Sequence, residues 1–467
     1  MSTAVASVAI IGGGIAGLSA AWYCQQQGID YTLIEASNRW GGKIYTEDIV
    51  LEEYDESLVI ETSPDGFITR KPWAMDLIHQ LGLDEQIIPV NKLPERIYIL
   101  SGGELIPMPY GLRLLVPTEF APFLASSLFT REGKLRVLAD MYTLPKRDDE
   151  DESLAEFITR RLGSEAVDKL GEPLLAGVYN AEADKQSILA TFPSYRKIEA
   201  EYGSLIRGMR LMKLKQKPSN QSPLVSLKNG MGQLIDALVE QLTGDLILGK
   251  SISRGMMHHA PIGYSIELDD GEAISAQHII LTTPADITAN LLNDLAPESA
   301  NGLDQLRQEG VGSISLAYPK ADVSHPMDAY GIVIPSSEKR RIDGITWTSN
   351  KWEHRAPKEV ALMRAFFGGP YTRDMLTKSD DEILFIVRGE LQEIMGITAE
   401  PLHYSINRLP KGYPQYDVGH LDRVDSIESN LPEGIHVTGS PYRGLGLPDV
   451  IHQSQQLIAK IAQKIQD

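Results

Sequence analysis

The fold is decided at the N-terminus, by Val5–Glu35: VASVAIIGGGIAGLSAAWYCQQQGIDYTLIE. Val5 to Ile11 is a short apolar run rich in β-branched residues, which predicts a buried strand. Gly12-Gly13-Gly14 follows, and Ile15 to Gln27 is an Ala/Leu/Gln-rich helical stretch closed by Gly28. Tyr31 to Ile34 predicts a second strand that ends in Glu35, so the chain opens as a βαβ unit. Gly12, Gly14 and Gly17 each have a task. The first permits the tight turn, the second lets backbone approach a pyrophosphate, and the third lets helix pack on strand. The helix N-terminus turns its positive end to the phosphates. Gly13, Ile15 and Ala16 lie in the same turn and join the candidate dinucleotide-binding set. Glu35, 18 residues after Gly17, is placed to accept hydrogen bonds from a ribose, with Ala36 beside it. A glycine turn without a ligand leaves Glu35 unexplained.

The same stretch has no charge before Asp30, which invites a leader or a membrane span. A leader needs a positive start that is missing here. A span needs about 20 apolar residues, and the glycine triplet and Gln25-Gln26-Gln27 break it. The 467 residues predict roughly three domains or two large ones. With 44 Lys and Arg against 63 Asp and Glu the net charge is −19, which argues against nucleic acid as a partner. The single cysteine, Cys24, excludes an intrachain disulfide or thiolate cage and fits a cytoplasmic protein. The ten histidines show no ligand spacing, and His258-His259 reads as a polar turn, so no metal is expected.

Farther along, Ala74–Leu81 predicts a helix. Phe120–Thr130 carries no charge and fits an apolar surface or a pocket wall. Lys146–Glu152 (KRDDEDE) reads as a solvated loop. Ser153 and Glu156 form a capping box for a helix that ends at Gly163, with helices continuing through the 170s. Arg207–Lys217 holds five positive charges and reads as a solvated loop rather than an anion or membrane contact. Tyr264–Ile274 predicts a hairpin, and His278–Thr282 and Ile435–Thr438 predict strands. A C-terminal helix from Pro448 is expected to bury Leu457, Ile461 and Ile465. The expected fold class is α/β: a Rossmann-like dinucleotide-binding domain with an interleaved α+β substrate domain and a helical insertion. The expected segments are 1–70, 216–300 and 411–467 for the dinucleotide domain, 71–215 for the insertion and 301–410 for the substrate sheet.

Arg39-Trp40-Gly41-Gly42-Lys43 resembles the second glycine signature of the flavin amine oxidase superfamily, with Lys43 where an Arg is usual. Thr438-Gly439-Ser440 and Arg443–Asp449 resemble its C-terminal signature, in which Pro448 suits a first helical turn. Glu61–Phe67, Pro414–His420 (PQYDVGH), Thr191–Met209 and Gly177-Val178-Tyr179 resemble segments of the coproporphyrinogen III and protoporphyrinogen oxidases, soluble Gram-positive-type enzymes above all. Ser63 and Gly66, Asn180-Ala181-Glu182, Leu409 and Ser440-Pro441-Tyr442 depart from that pattern.

The resemblance implies a glutathione-reductase/amine-oxidase-type fold and noncovalent FAD. Beyond the residues of the opening unit it implies that Arg39, Gly42, Lys43, Ser63, Pro64, Asp65, Gly66, Ile252, Leu409, Gly439, Leu445, Gly446 and Leu447 hold the cofactor. A helix end at Leu447 would favour an anionic reduced flavin. The implied reaction is six-electron oxidation of coproporphyrinogen III to coproporphyrin III, with O2 as acceptor and H2O2 as product, in haem biosynthesis. Protoporphyrinogen IX is the alternative substrate. The Gly177 carbonyl would orient the macrocycle, Val333 and Thr346 would sandwich it and Phe366 would stack on it. Arg70, Lys71 and Arg96 would meet its propionates. A peripheral membrane contact, transfer of product to a downstream enzyme, and a monomer or homodimer complete the expectations. Two rival classes are another flavin oxidase and a non-enzymatic binder of the same fold.

Overall fold

A computed structural model describes residues 6–113, 115–215 and 222–466; Val5 and Lys217, named above, lie outside them. The opening βαβ unit forms as Ala6–Ile11, Ile15–Gln26 and Tyr31–Glu35. Its two strands pair in parallel, Val8 against Tyr31 and Ile11 against Ile34. Asp245–Leu248 adds outside Tyr31–Glu35, and Ala273–Leu281 adds on the other side. Ile435–Val437 then pairs with the end of Ala273–Leu281. These strands are apolar on both faces because helices cover both. The C-terminal helix Leu447–Gln466 packs along Ile15–Gln26 and buries Ile451, Ile458 and Ile461. Ile465 is corrected: it is exposed, because the buried face falls one turn earlier.

A second, seven-stranded sheet is mainly antiparallel. Its central members are Gln308–Pro319, Val360–Phe367, Gly344–Thr346 and Gly331–Val333, with His403–Pro414 at one end. Tyr98–Ser101 and Glu104–Pro107, from the segment 71–215 assigned to the insertion, extend its other end. One face packs on the helix Asp380–Met395 through Ile332, Ile345, Ala365 and Phe367. The boundary placed at 410 falls inside the strand His403–Pro414.

The insertion is helical. Leu154–Leu162 starts with the capping box of Ser153 and Glu156 and ends at Gly163. Val167–Ala176 is a π-helix with Pro173 inside, followed by one turn, Gly177–Tyr179. One loop reading is overturned, one loses its last residue to the core, and the uncharged stretch is divided between core and surface. Arg207–Lys215 is helical, within Leu205–Lys215, because Leu205, Ile206 and Met209 supply a buried face. Glu152, at the end of the expected solvated loop, is buried and bound by Arg160 and Arg196. Phe123, Leu128 and Phe129 of the uncharged stretch enter the insertion's core, and Leu124 stays exposed. Arg161 is fully buried, with Nε on Asp140 at 2.6 Å and Nη1 facing Glu199 at 3.3 Å. Asp140 also accepts from the Ser204 hydroxyl and the Ile206 N–H, so the pair is fully hydrogen-bonded.

Candidate active site

The glycine turn lies at the carboxyl ends of the parallel strands, where a doubly wound sheet opens a crevice. A Cβ on Gly17 would sit 1.9 Å from the Gly12 carbonyl oxygen, and one on Gly12 would meet the Thr282 hydroxyl at 2.5 Å. A Cβ on Gly14 would meet only the Gly42 Cα, at 4.0 Å. The helix Ile15–Gln26 has no acidic residue in its first turn and no side-chain cap, so its first N–H groups are free for an anion. The Glu35 carboxylate accepts from Gly13 N at 2.6 Å and Ser37 N at 2.8 Å, which fixes it beside the turn with lone pairs to spare. Ala36 is exposed next to it, and Ile252 packs under the sheet beyond Asp245–Leu248.

The second glycine stretch docks onto the first. Gly41 N donates to Gly13 O at 2.8 Å, and Gly42, at φ +56°, lies against Gly14. Arg39 is exposed and donates to the Gly42 carbonyl. Lys43 reaches the other way, its Nζ 2.6 Å from the Gly412 carbonyl, beside the position of Leu409. Burial pushes the Lys43 ammonium down to about 8. The C-terminal loop passes the glycine helix at Gly439, whose φ is +120° and whose added Cβ would lie 3.4 Å from Ala16 Cβ. Leu445, Gly446 and Leu447 lead into the last helix, whose first turn holds Asp449. These backbone-lined turns and the fixed carboxylate fit an adenine dinucleotide that continues into a second ring system.

The sheet register gathers the substrate-side residues. Val333 pairs with Gly344, Gly344 with Phe366, Phe366 with Ser313, and Ser313 with Asn407. One row on, Gly331, Thr346, Arg364, Ser315 and Ser405 stand opposite one another. Alternation places Val333, Thr346, Arg364 and Phe366 on one face, opposite the helix-covered one. The segment 62–66 closes on this face. Arg364 donates to the Thr62 and Ser63 carbonyls and lies over the Phe366 ring at 4.8 Å. Asn407 also donates to Thr62 O. Asp65 accepts from Lys351 and the Trp352 indole. Burial pushes the Asp65 carboxyl up, but Lys351 and these hydrogen bonds outweigh it and hold it below the usual range. Gly66 has no room for a side chain: a Cβ would sit 2.5 Å from Val225 O.

The three expected propionate cations are not equivalent. Lys71 is held by both oxygens of Asp449 at 2.6 Å, on the first turn of the C-terminal helix. Arg70 and Arg96 are exposed. Arg70 lies near enough to Tyr195 to act on its hydroxyl, and Arg96 does the same at Tyr330. Gly177 is exposed at the start of its one-turn helix. That turn is pinned by Asn180, in left-handed conformation at φ 50°, whose amide donates to Gly310 O at 2.5 Å. The sequence reading missed Arg364, Lys351 and Asn180. The lone Arg in the apolar strand Val360–Phe367 was the available signal for Arg364. Among the described residues no cluster of three potential metal ligands occurs, and no helix is long and apolar enough to cross a membrane.

A model of the flavin-containing amine oxidoreductases matches residues 15–455. The coproporphyrinogen III oxidase of Bacillus subtilis is 34% identical, with 98% of each chain covered. That of Staphylococcus aureus is 32% identical, covering 97% of this chain and 99% of the relative. Protoporphyrinogen oxidase 2 of Arabidopsis thaliana is 26% identical over 94% of this chain and 90% of the relative. A crystal structure from Exiguobacterium sp. 255-15, provisionally named a protoporphyrinogen oxidase, superposes with a TM-score of 0.87. It is 32% identical, with coverage of 99% of this chain and 100% of that one. A putrescine oxidase variant, 16% identical with a TM-score of 0.71 over 98% and 99% of the two chains, shares the fold.

Proposed function

The chain belongs to the flavin-containing amine oxidoreductases and is an FAD oxidoreductase, and on that premise we propose that it oxidises coproporphyrinogen III to coproporphyrin III. The observation that carries the reading is the sheet face of Val333, Thr346 and Phe366, set against the 62–66 segment of the flavin lobe. A partly buried aromatic ring flanked by the β-branched side chains of Val333 and Thr346 suits a macrocycle, and the names of the full-length relatives supply the substrate. Six electrons and six protons leave in three rounds, and three O2 become three H2O2. Bound FAD supplies the two-electron acceptor for each round.

In this reading Gly12–Gly17, Glu35, Ala36, Arg39, Gly42, Lys43 and Ile252 hold the adenosine and diphosphate. Ser63–Gly66, Leu409, Gly439 and Leu445–Leu447 border the ring system. Val333 and Thr346 enclose the macrocycle, Phe366 stacks on a pyrrole, and the Gly177 carbonyl orients it. Arg364 keeps Phe366 and the 62–66 segment in fixed relation by bonding both. Arg70 and Arg96 offer exposed cations to the propionates, while Lys71 is neutralised by Asp449 unless substrate displaces it.

The test is kcat/KM for coproporphyrinogen III and protoporphyrinogen IX side by side, with H2O2 counted. Coproporphyrinogen is expected to win, at three H2O2 per porphyrin. A strong preference for protoporphyrinogen IX would move the chain to the other branch of its relatives. Flavin bleaching by amines but by neither porphyrinogen would end the reading. We also infer a cytoplasmic protein with a peripheral membrane contact through the insertion. Leu124, Leu135, Leu211 and Leu214 are exposed there, and Arg207, Arg210 and Lys213 share their helix or its neighbour. Co-sedimentation with anionic but not neutral vesicles would support it.

A further inference from the structure

The PQYDVGH segment, Pro414–His420, packs beneath the loop 440–444 that joins Gly439 to the C-terminal helix. Tyr416 is buried, and its hydroxyl does two jobs. It donates to Ser440 O at 2.6 Å and accepts from Gly444 N at 2.9 Å, so one oxygen spans both ends of the loop. The ring of His420 stacks on that of Tyr416, with centroids 4.0 Å apart. His420 Nε2 donates to Tyr442 O, in the middle of the same loop, at 2.7 Å. Both loop ends need unusual backbone, φ +120° at Gly439 and +149° at Gly444. Within the loop Tyr442 N donates to Gly439 O, and Gln453 of the last helix bonds Arg443 N and Gly444 O, so the three bonds from Tyr416 and His420 are the ones that tie it to the 414–420 segment.

The other side of the segment faces the insertion. Ser187 N donates to Tyr416 O at 2.8 Å, and Val418 N donates to Lys185 O at 2.9 Å. The Gln415 amide donates to Tyr179 O, at the end of the Gly177 turn. Gly419 N donates to Asp151. The same few residues thus grip the loop before the last helix and the turn beside the macrocycle's expected place.

We infer that Tyr416 and His420 are positioning residues: they set the 440–444 loop, and with it the start of the C-terminal helix, relative to the flavin, and couple that setting to the Gly177–Ser187 side of the insertion. The inference rests on the cofactor lying against Gly439–Leu447 and not on which porphyrinogen is oxidised. The positive end of a helix favours negative charge only at close range. A loosened loop therefore weakens reduced flavin more than oxidised flavin.

The test uses holoprotein. Tyr416→Phe removes only the hydroxyl and keeps the ring stack. FAD is expected to dissociate with a Kd roughly tenfold higher, since the Ser440 carbonyl and Gly444 N–H lose their shared partner. A further tenfold loss for the reduced form would lower the midpoint potential by about 30 mV. His420→Gln retains an amide donor and should stay near wild type in potential, whereas His420→Leu should shift like Tyr416→Phe. Far-UV circular dichroism confirms that each variant is folded. Unchanged potential and Kd in Tyr416→Phe would overturn the inference. So would equal shifts in His420→Gln and His420→Leu, because that pattern reports packing and not the hydrogen bond. Neither readout involves a porphyrinogen, so failure here is distinct from failure of the proposed reaction.

Discussion

The flavin lobe and the helical insertion are built on opposite terms. Around the cofactor site the two glycine stretches meet backbone on backbone: Gly41 N on Gly13 O, Gly42 against Gly14. In the insertion segments meet charge on charge: Arg160 and Arg196 on Glu152, Arg160 and Arg161 on Glu199, Arg161 on Asp140. The lesson concerns which groups remain for a ligand. A lobe that closes through glycine backbone leaves N–H groups and one carboxylate, Glu35, facing its crevice. A region that closes through ion pairs consumes its cations internally, and few remain for an anionic substrate in a chain of net charge −19.

The contrast breaks first at Gly17. Its Cβ would overlap the Gly12 carbonyl, which is backbone and cannot swing away. Gly17→Val should abolish flavin loading, visible as loss of the yellow absorbance, while the insertion keeps its fold. Retained colour would mean that the glycine turn is not where the dinucleotide sits. The counterpart in the insertion is Arg161→Ala. It strands Asp140 in the core and should cost about 3–5 kcal/mol in urea unfolding. The double replacement Arg161→Met with Asp140→Leu should recover part of that loss, because the uncompensated charge is removed.

This difference also decides what could be read from residue order. Glycines at Gly12, Gly14 and Gly17 act through conformation over a few residues, so spacing alone exposes them. Glu152 acts through partners 8 and 44 residues away, and nothing near KRDDEDE announces them. The same is true of Leu205–Lys215: the charge density suggested a loop, but Leu205, Ile206 and Met209 fall on one buried face. Val333, Thr346 and Phe366 reached the candidate list only through family resemblance. Their shared face depends on the register Val333–Gly344–Phe366, which pairs strands across long connections. Arg364 stands out as the lone charge in an apolar strand, but what it holds was hidden for the same reason, since its partners at Thr62 and Ser63 are some 300 residues away in the chain.

Lys43 crosses the divide, as a buried charge inside the backbone-built lobe. Burial brings its folded pKa down to about 8, from the 10.5 of an ordinary lysine. Between these values the unfolded chain holds the proton more tightly, so stability should rise with pH from 8 to 10.5. The burial cost is fully present below pH 8. The total gain should be about 3 kcal/mol or less. Urea midpoints measured across that range should climb for the wild type, and Lys43→Met should flatten the climb while stabilising the protein at pH 7. An unaltered slope would show that Lys43 is solvated when folded, and the lobe would then contain no buried charge at this position.

The smallest expected effect tests the scarcity of cations directly. Arg96 precedes the strand Tyr98–Ser101, which pairs with Gly331–Val333, and its side chain is exposed. An exposed cation meeting a propionate contributes roughly 0.2–1 kcal/mol, so Arg96→Ala should raise KM for a tetrapropionate porphyrinogen about threefold and leave kcat nearly unchanged. The rise should shrink at high salt, because the pair is screened, and should be smaller for a dipropionate substrate. A change in kcat with constant KM would assign Arg96 to the packing of Tyr330, whose backbone N–H bonds Arg96 O. The two outcomes separate an insertion edge that recognises its substrate by side-chain charge from one that, like the flavin lobe, relies on backbone and shape.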